Sequence, residues 1–181
     1  LGNICPIIAS PKSFKEPEDG IVELFRQLAF YLEQDRQVNE LKLVRSVRDM
    51  KQSGISVLLS LEGAYSIQKE EDLYLVPILK RLGFVSIAPT WSLNNALGTG
   101  TYDVDAKKGL TKLGKLFVEL CEENKIAVDA VHTSRQTFWD IVQVTKKPFL
   151  VSHTASFEVT KHRRNLTKEQ IKIVAERGGL V

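Results

Sequence analysis

At 181 residues, with 43% apolar and 26% charged side chains, the chain is long enough for one domain with a real core and short for two. A net charge of +3, with lysines and arginines interspersed among acids, excludes nucleic acid as the expected partner. No run approaches the roughly 18 apolar residues that would span a bilayer.

The sequence opens at Leu1 and its one methionine is Met50. Its first residues already read as a strand and its last as the start of another, so residues 1–181 are expected to be a single domain truncated at both ends. No signal-like basic and apolar regions open the chain, which makes a cytoplasmic location the expectation. Cys5 and Cys121 have neither metal-ligand nor redox spacing and are read as buried thiols.

After the first apolar run, residues 17–36 read as a helix. Pro17 suits its first turn, the acids around it suit the positive end of the dipole, and Ile21, Leu24, Phe25, Leu28 and Leu32 share one face. Residues 39–52 read as a second amphipathic helix ending at Ser53-Gly54. The strand 55–62 follows and ends in Glu62. A third helix over 70–82 stops at Gly83, and the strand 84–90 leads into Trp91. A long polar loop then runs to Gly109, too long for a bare connector and so a functional-loop candidate, with Asn94 and Asn95 shaping it. Residues 110–124 are helical. The strand 126–132 ends in His132, a helix spans 134–145, and the run 148–153 ends in His153. A last helix over 167–176 begins at a capping box formed by Thr167 and Gln170.

Strand and helix alternate about five times, which predicts a parallel sheet with right-handed crossovers. No glycine-rich phosphate loop follows any strand. Polar residues at several strand ends favour a (β/α)8 barrel of the TIM type, with about six of the eight strands present.

Two imidazoles at the ends of successive strands, with a carboxylate on the same rim, point to a metal site. Neighbouring strands lie about 4.8 Å apart, close enough for two ring nitrogens to share an ion at about 2.0–2.1 Å. The alternative for each histidine is a hydrogen-bonded structural residue. The basic segment Lys161-His162-Arg163-Arg164-Asn165 reads mostly as a solvated loop, although an arginine above a metal suits bidentate capture of a carboxylate. Trp91, on the strand between those of Glu62 and His132, should overlook the same cavity, or else is an ordinary core aromatic.

The run Val128-Asp129-Ala130-Val131-His132-Thr133-Ser134-Arg135-Gln136-Thr137-Phe138-Trp139-Asp140 resembles the membrane (renal-type) dipeptidases of peptidase family M19 and their bacterial relatives. Lys147-Pro148-Phe149-Leu150-Val151-Ser152-His153 and His162-Arg163-Arg164-Asn165-Leu166-Thr167 carry the same resemblance. So do Leu61-Glu62-Gly63 and Asn94-Asn95-Ala96-Leu97, in the same order. The resemblance implies a (β/α)8 barrel with a binuclear zinc centre that hydrolyses dipeptides through a metal-activated water. It implies metal ligation by Glu62, bridging both ions, and by His132 and His153. It assigns the substrate's C-terminal carboxylate to Arg164 and makes Trp91 a substrate-lining residue at the family's histidine position. The His-x-Asp pair of the family's first strand and the aspartate of its last strand have no counterpart in this sequence.

Two expectations follow. The first is a zinc-dependent dipeptidase whose 1–181 piece alone keeps ligands mainly for one zinc and lacks turnover. The second is a catalytically dead relative acting as a binding or structural protein. An incomplete barrel would expose two sheet edges, so the isolated piece is also expected to associate, as a homodimer or less specifically.

Overall fold

The computed structural model describes residues 2–8, 17–50, 54–103 and 108–181. Five strands and five α-helices are assigned in it: β1 (Gly2–Ile8), α1 (Pro17–Gln37), β2 (Leu41–Leu43), β3 (Ile55–Glu62), α2 (Leu75–Leu82), β4 (Phe84–Ala88), α3 (Lys112–Glu123), β5 (Ala127–Val128), α4 (Arg135–Val144) and α5 (Lys168–Glu176). A 3-10 turn, Glu70–Tyr74, leads into α2.

All strand pairings are parallel, in the order β1-β3-β4-β5, with β2 also on β3. Parallel bridges from Asp129 to Leu150 and from Leu150 to Leu180 extend the arc by two further chain segments. The result is an arc of a TIM-type (β/α)8 barrel, as the alternating pattern predicts. β3 shows how the sequence builds it. Val57, Leu59 and Leu61 alternate with Ser56, Leu58, Ser60 and Glu62, so one face is wholly apolar and the other carries the polar side chains, yet nearly every residue is buried. The apolar face joins Leu24 and Leu28 of α1 and Val76 and Leu79 of α2 in one core. On the polar face Ser86 Oγ donates to Ser60 Oγ at 2.8 Å, which satisfies two buried hydroxyls in the cross-strand register Ser60↔Ser86.

Helix ends follow the sequence signals closely. Gly83 takes the left-handed conformation (φ 101°) that closes α2, and the Thr167–Gln170 capping box opens α5. Asn95 Oδ1 accepts from the amides of Leu97 and Gly98, the loop-shaping role expected of it. Cys121 is fully buried, and burial pushes its thiol pKa up; the side chain of Cys5 lies outside the described residues.

Two expectations are corrected. Within the helix expected over 39–52, the described residues 39–50 form no α-helix, and residues 51–52 lie outside the described residues. Leu41–Leu43 pair with Ile55–Val57 as β2, and Asp49 then accepts hydrogen bonds from the Arg45 and Ser46 amides and the Ser46 hydroxyl around a 3-10 turn. Sheet pairing and a local carboxylate satisfy the backbone there in place of helical bonds. On α1, Leu24 and Leu28 are buried, whereas Phe25 and Leu32 are 48% and 41% exposed, so the buried stripe is narrower than the hydrophobic one. Among the described residues, no helix is long and apolar enough to cross a membrane.

Candidate metal centre

The polar face of β3 ends in Glu62, whose side chain is carried by strand alternation to the C-terminal rim. From the next crossover, Trp91 and Ser92 follow β4. β5 is only two residues long, and its line continues through Asp129 to a turn in which His132 takes φ 61°. The histidines are thus not the last residues of strands, as expected. His132 sits in a left-handed turn four residues beyond β5, and His153 follows the bridged segment around Leu150. Histidine is among the residues that tolerate this backbone region, and the turn aims its ring back over the sheet end.

That geometry brings three predicted residues together. His132 Nε2 lies 2.5 Å from Glu62 Oε1 and 3.0 Å from His153 Nε2, and His153 Nε2 lies 3.2 Å from the same carboxylate oxygen. Glu62 and His132 are buried, while the His153 side chain is 47% exposed and forms the open side. Each imidazole has its other nitrogen on a serine hydroxyl: Ser92 Oγ is 2.9 Å from His132 Nδ1, and Ser152 Oγ is 3.1 Å from His153 Nδ1. Arg164 Nη2 approaches His132 Nε2 at 3.4 Å, and the Trp91 ring lies 5.6 Å from the His132 ring at a 35° tilt.

This donor set fits a cation. Two nitrogens and a carboxylate oxygen converge, and a tetrahedral ion at about 2.0–2.1 Å requires ligand atoms about 3.3 Å apart. The two His153 edges are close to that value, and the His132–Glu62 edge is of hydrogen-bond length. Burial pushes the Glu62 carboxyl toward protonation, but the hydrogen bond with His132 and the charges of His132, His153 and Arg164 outweigh it and hold the pKa below the usual value. Burial is also the main cause of the lowered His153 pKa, with His132 and Arg164 acting in the same direction against Glu62 and Asp129. A neutral imidazole beside an ionised carboxylate is the protonation state a divalent ion requires.

Sequence reasoning missed the support beneath these groups. Asp129 is 2% exposed; its Oδ1 accepts from the Val131 and Ser152 amides, each at 3.1 Å, and burial raises its pKa against those bonds. Ser92 and Ser152 were equally unremarked, although each directly adjoins a singled-out residue, Trp91 or His153. His162 stands apart from the cluster. It meets the Tyr102 hydroxyl at 3.4 Å, and Arg163 lies over the Tyr102 ring at 5.2 Å. A small cleft opens beside the cluster, lined by His132, His153, Arg135, Arg163 and Arg164 among others.

Comparison with known proteins agrees with this fold. The family model of the membrane dipeptidases, peptidase family M19, matches residues 9–181. A protein from Acinetobacter calcoaceticus, described as an uncharacterized protein in the PQQ-III 3' region, is 29% identical over 169 residues, covering 88% of this chain and 51% of its own length. A solved structure of dipeptidase AC, a metallopeptidase of family M19, superposes with a TM-score of 0.87 at 24% identity, over 99% of this chain and 58% of that one. A metallopeptidase from Rhodobacter sphaeroides, solved with a phosphinate mimic of the dipeptide L-Ala-D-Ala, gives a TM-score of 0.87 at 23% identity, over 99% of this chain and 60% of that one. The chain therefore shares their fold and spans little more than half the length of these relatives.

Proposed function

The chain belongs to the membrane dipeptidase family, peptidase family M19, and on that premise we propose that the whole protein is a zinc-dependent dipeptidase. The observation that carries this reading is the convergence of Glu62, His132 and His153 within 3.2 Å of one another, beside a guanidinium. Glu62 would hold the metal through its carboxylate, and His132 and His153 would hold it through ring nitrogens. Nitrogen and carboxylate donors of this kind suit zinc. When bound, the ions acidify a water and polarise the scissile carbonyl.

The chain's own residues do the rest. Arg164 captures the dipeptide's C-terminal carboxylate through its planar fork, which fixes the register of the peptide bond over the cluster. Trp91 packs its ring beside that of His132, 5.6 Å between centroids, and helps to hold the imidazole in place. The dipeptide chemistry follows the substrate mimic bound by the Rhodobacter sphaeroides relative. A cytoplasmic location and a homodimer complete the proposal, checked by cell fractionation and light scattering.

The test uses the full-length protein. Purified enzyme should contain zinc and hydrolyse dipeptides, and chelation should abolish turnover. Arg164→Ala should raise KM strongly with zinc content unchanged. Unchanged zinc content in both His132→Ala and His153→Ala would overturn the metal assignment. A specific feature also favours a second reading: Trp91 replaces the family's histidine, and an indole N–H donates without carrying charge. Zinc and dipeptide binding without any turnover would establish that reading, a binding protein, in place of the enzyme.

A further inference from the structure

Ser92 and His132 are joined by a hydrogen bond and share an uncommon backbone state. Both are buried at 7% exposure, and both have positive φ, 59° at Ser92 and 61° at His132. L-residues adopt that region rarely, and a serine has no special ease there, so the surrounding structure must impose it. It does so through one short segment. Tyr102 N donates to Ser92 O at 2.7 Å, Thr101 N donates to His132 O at 2.9 Å, and Gly100 bridges to Thr133. A Cβ on Gly100 would lie 2.4 Å from the Ser92 carbonyl carbon, so only glycine lets the strap lie this close. The strap pins both ends of the Ser92 Oγ–His132 Nδ1 contact, which measures 2.9 Å.

From this we infer that Ser92 is a positioning residue for the metal centre, a role that rests on the proposed ligation by His132. Its hydroxyl oxygen accepts a hydrogen bond from Nδ1–H, and the ring is left with its Nε2 lone pair aimed at the shared space between Glu62 and His153. The backbone strain at Ser92 serves that aim: glycine would sit there without strain, but would leave the ring without its anchor. His153 has a looser arrangement, a half-exposed ring anchored by the adjacent Ser152. The centre therefore has one rigid and one adjustable imidazole.

Ser92→Gly separates positioning from folding, because glycine removes the hydroxyl while relieving the positive φ. In the full-length protein, Ser92→Gly should melt at or above the wild-type temperature in the metal-free state. Its zinc affinity, measured by chelator competition, should nevertheless fall about 10–100-fold, the range for lost second-layer partners of metal-bound histidines. With zinc bound, ¹⁵N NMR of the wild-type His132 ring should show a protonated Nδ1 protected from exchange, and that protection should vanish in Ser92→Gly. Ser92→Ala should lose the same affinity with a lower melting temperature. Wild-type zinc affinity in Ser92→Gly, or unchanged Nδ1–H protection, would overturn the role of Ser92. Absence of zinc binding in the wild type would instead overturn the ligation on which that role rests.

Discussion

His132 Nε2 stands 2.5 Å from Glu62 Oε1, and both groups are buried, so a charged hydrogen bond closes the floor of the cluster. His153 completes it from the solvent side. The two imidazoles, alike in chemistry, are therefore unlike in what their loss would do to the fold.

Removing His132 leaves the Glu62 carboxylate buried without its closest partner. His132→Ala is expected to lose zinc and to destabilise the metal-free protein by about 3–5 kcal/mol, the cost of breaking a buried pair from one side. His153→Ala should lose zinc with a stability change of about 1 kcal/mol or less, since its ring is half exposed. Urea melts of both variants, with metal analysis, check the contrast.

Gly100 holds the strap against Ser92. Gly100→Ala should cost about 1–3 kcal/mol through overpacking against the Ser92 and Leu93 carbonyls. It should also weaken zinc binding, although residue 100 contributes no ligand. A melt combined with chelator competition tests both effects.

Asp129 sets a pH dependence of definite sign. Burial raises its folded pKa above the ordinary carboxylate value, so its favourable contribution is complete below the unfolded pKa, about 3.9, and is lost as pH rises through the folded value. Asp129→Asn keeps the acceptor for the Val131 and Ser152 amides and removes the buried charge. The variant's melting temperature relative to wild type, both metal-free, should therefore be higher at pH 7 than at pH 3.5. An equal difference at the two pH values would assign Asp129 no titration in this range.

The cap at α5 offers a local test. Thr167→Ala removes the side-chain acceptor of the Gln170 amide and should cost about 1 kcal/mol in a urea melt, with no change in zinc affinity.

That capping box shows where the sequence is most legible. Thr167 with Gln170, Gly83 after α2 and the alternation of β3 each encode their geometry within a few residues, and each element forms where its pattern predicts. Glu62, His132 and His153 were identifiable because their residue types are costly at a buried rim unless they meet one another. The backbone that makes them meet was not legible. Nothing local to 39–52 distinguishes a helix from β2, because Leu41 and Leu43 become a strand only by pairing with β3. Likewise the left-handed turn at His132 is held by Thr101, some thirty residues earlier, and leaves no periodic signal. Ser92 and Asp129 act through that same long-range assembly, so their types alone did not single them out.

The three converging groups come from sites 70 and 21 residues apart along the chain. No local piece of the polypeptide can present them together; the β3–β4–β5 ladder must be in register and the segment around Leu150 docked before a third donor arrives. Loop closure over such separations is unfavourable until the sheet rewards it. Capture of a cation by this rim would thus be a late event in folding, and an ion that binds only the finished rim would pull the last closing steps forward by mass action. Under the proposed ligation, metal supply during synthesis would then govern the yield of folded protein.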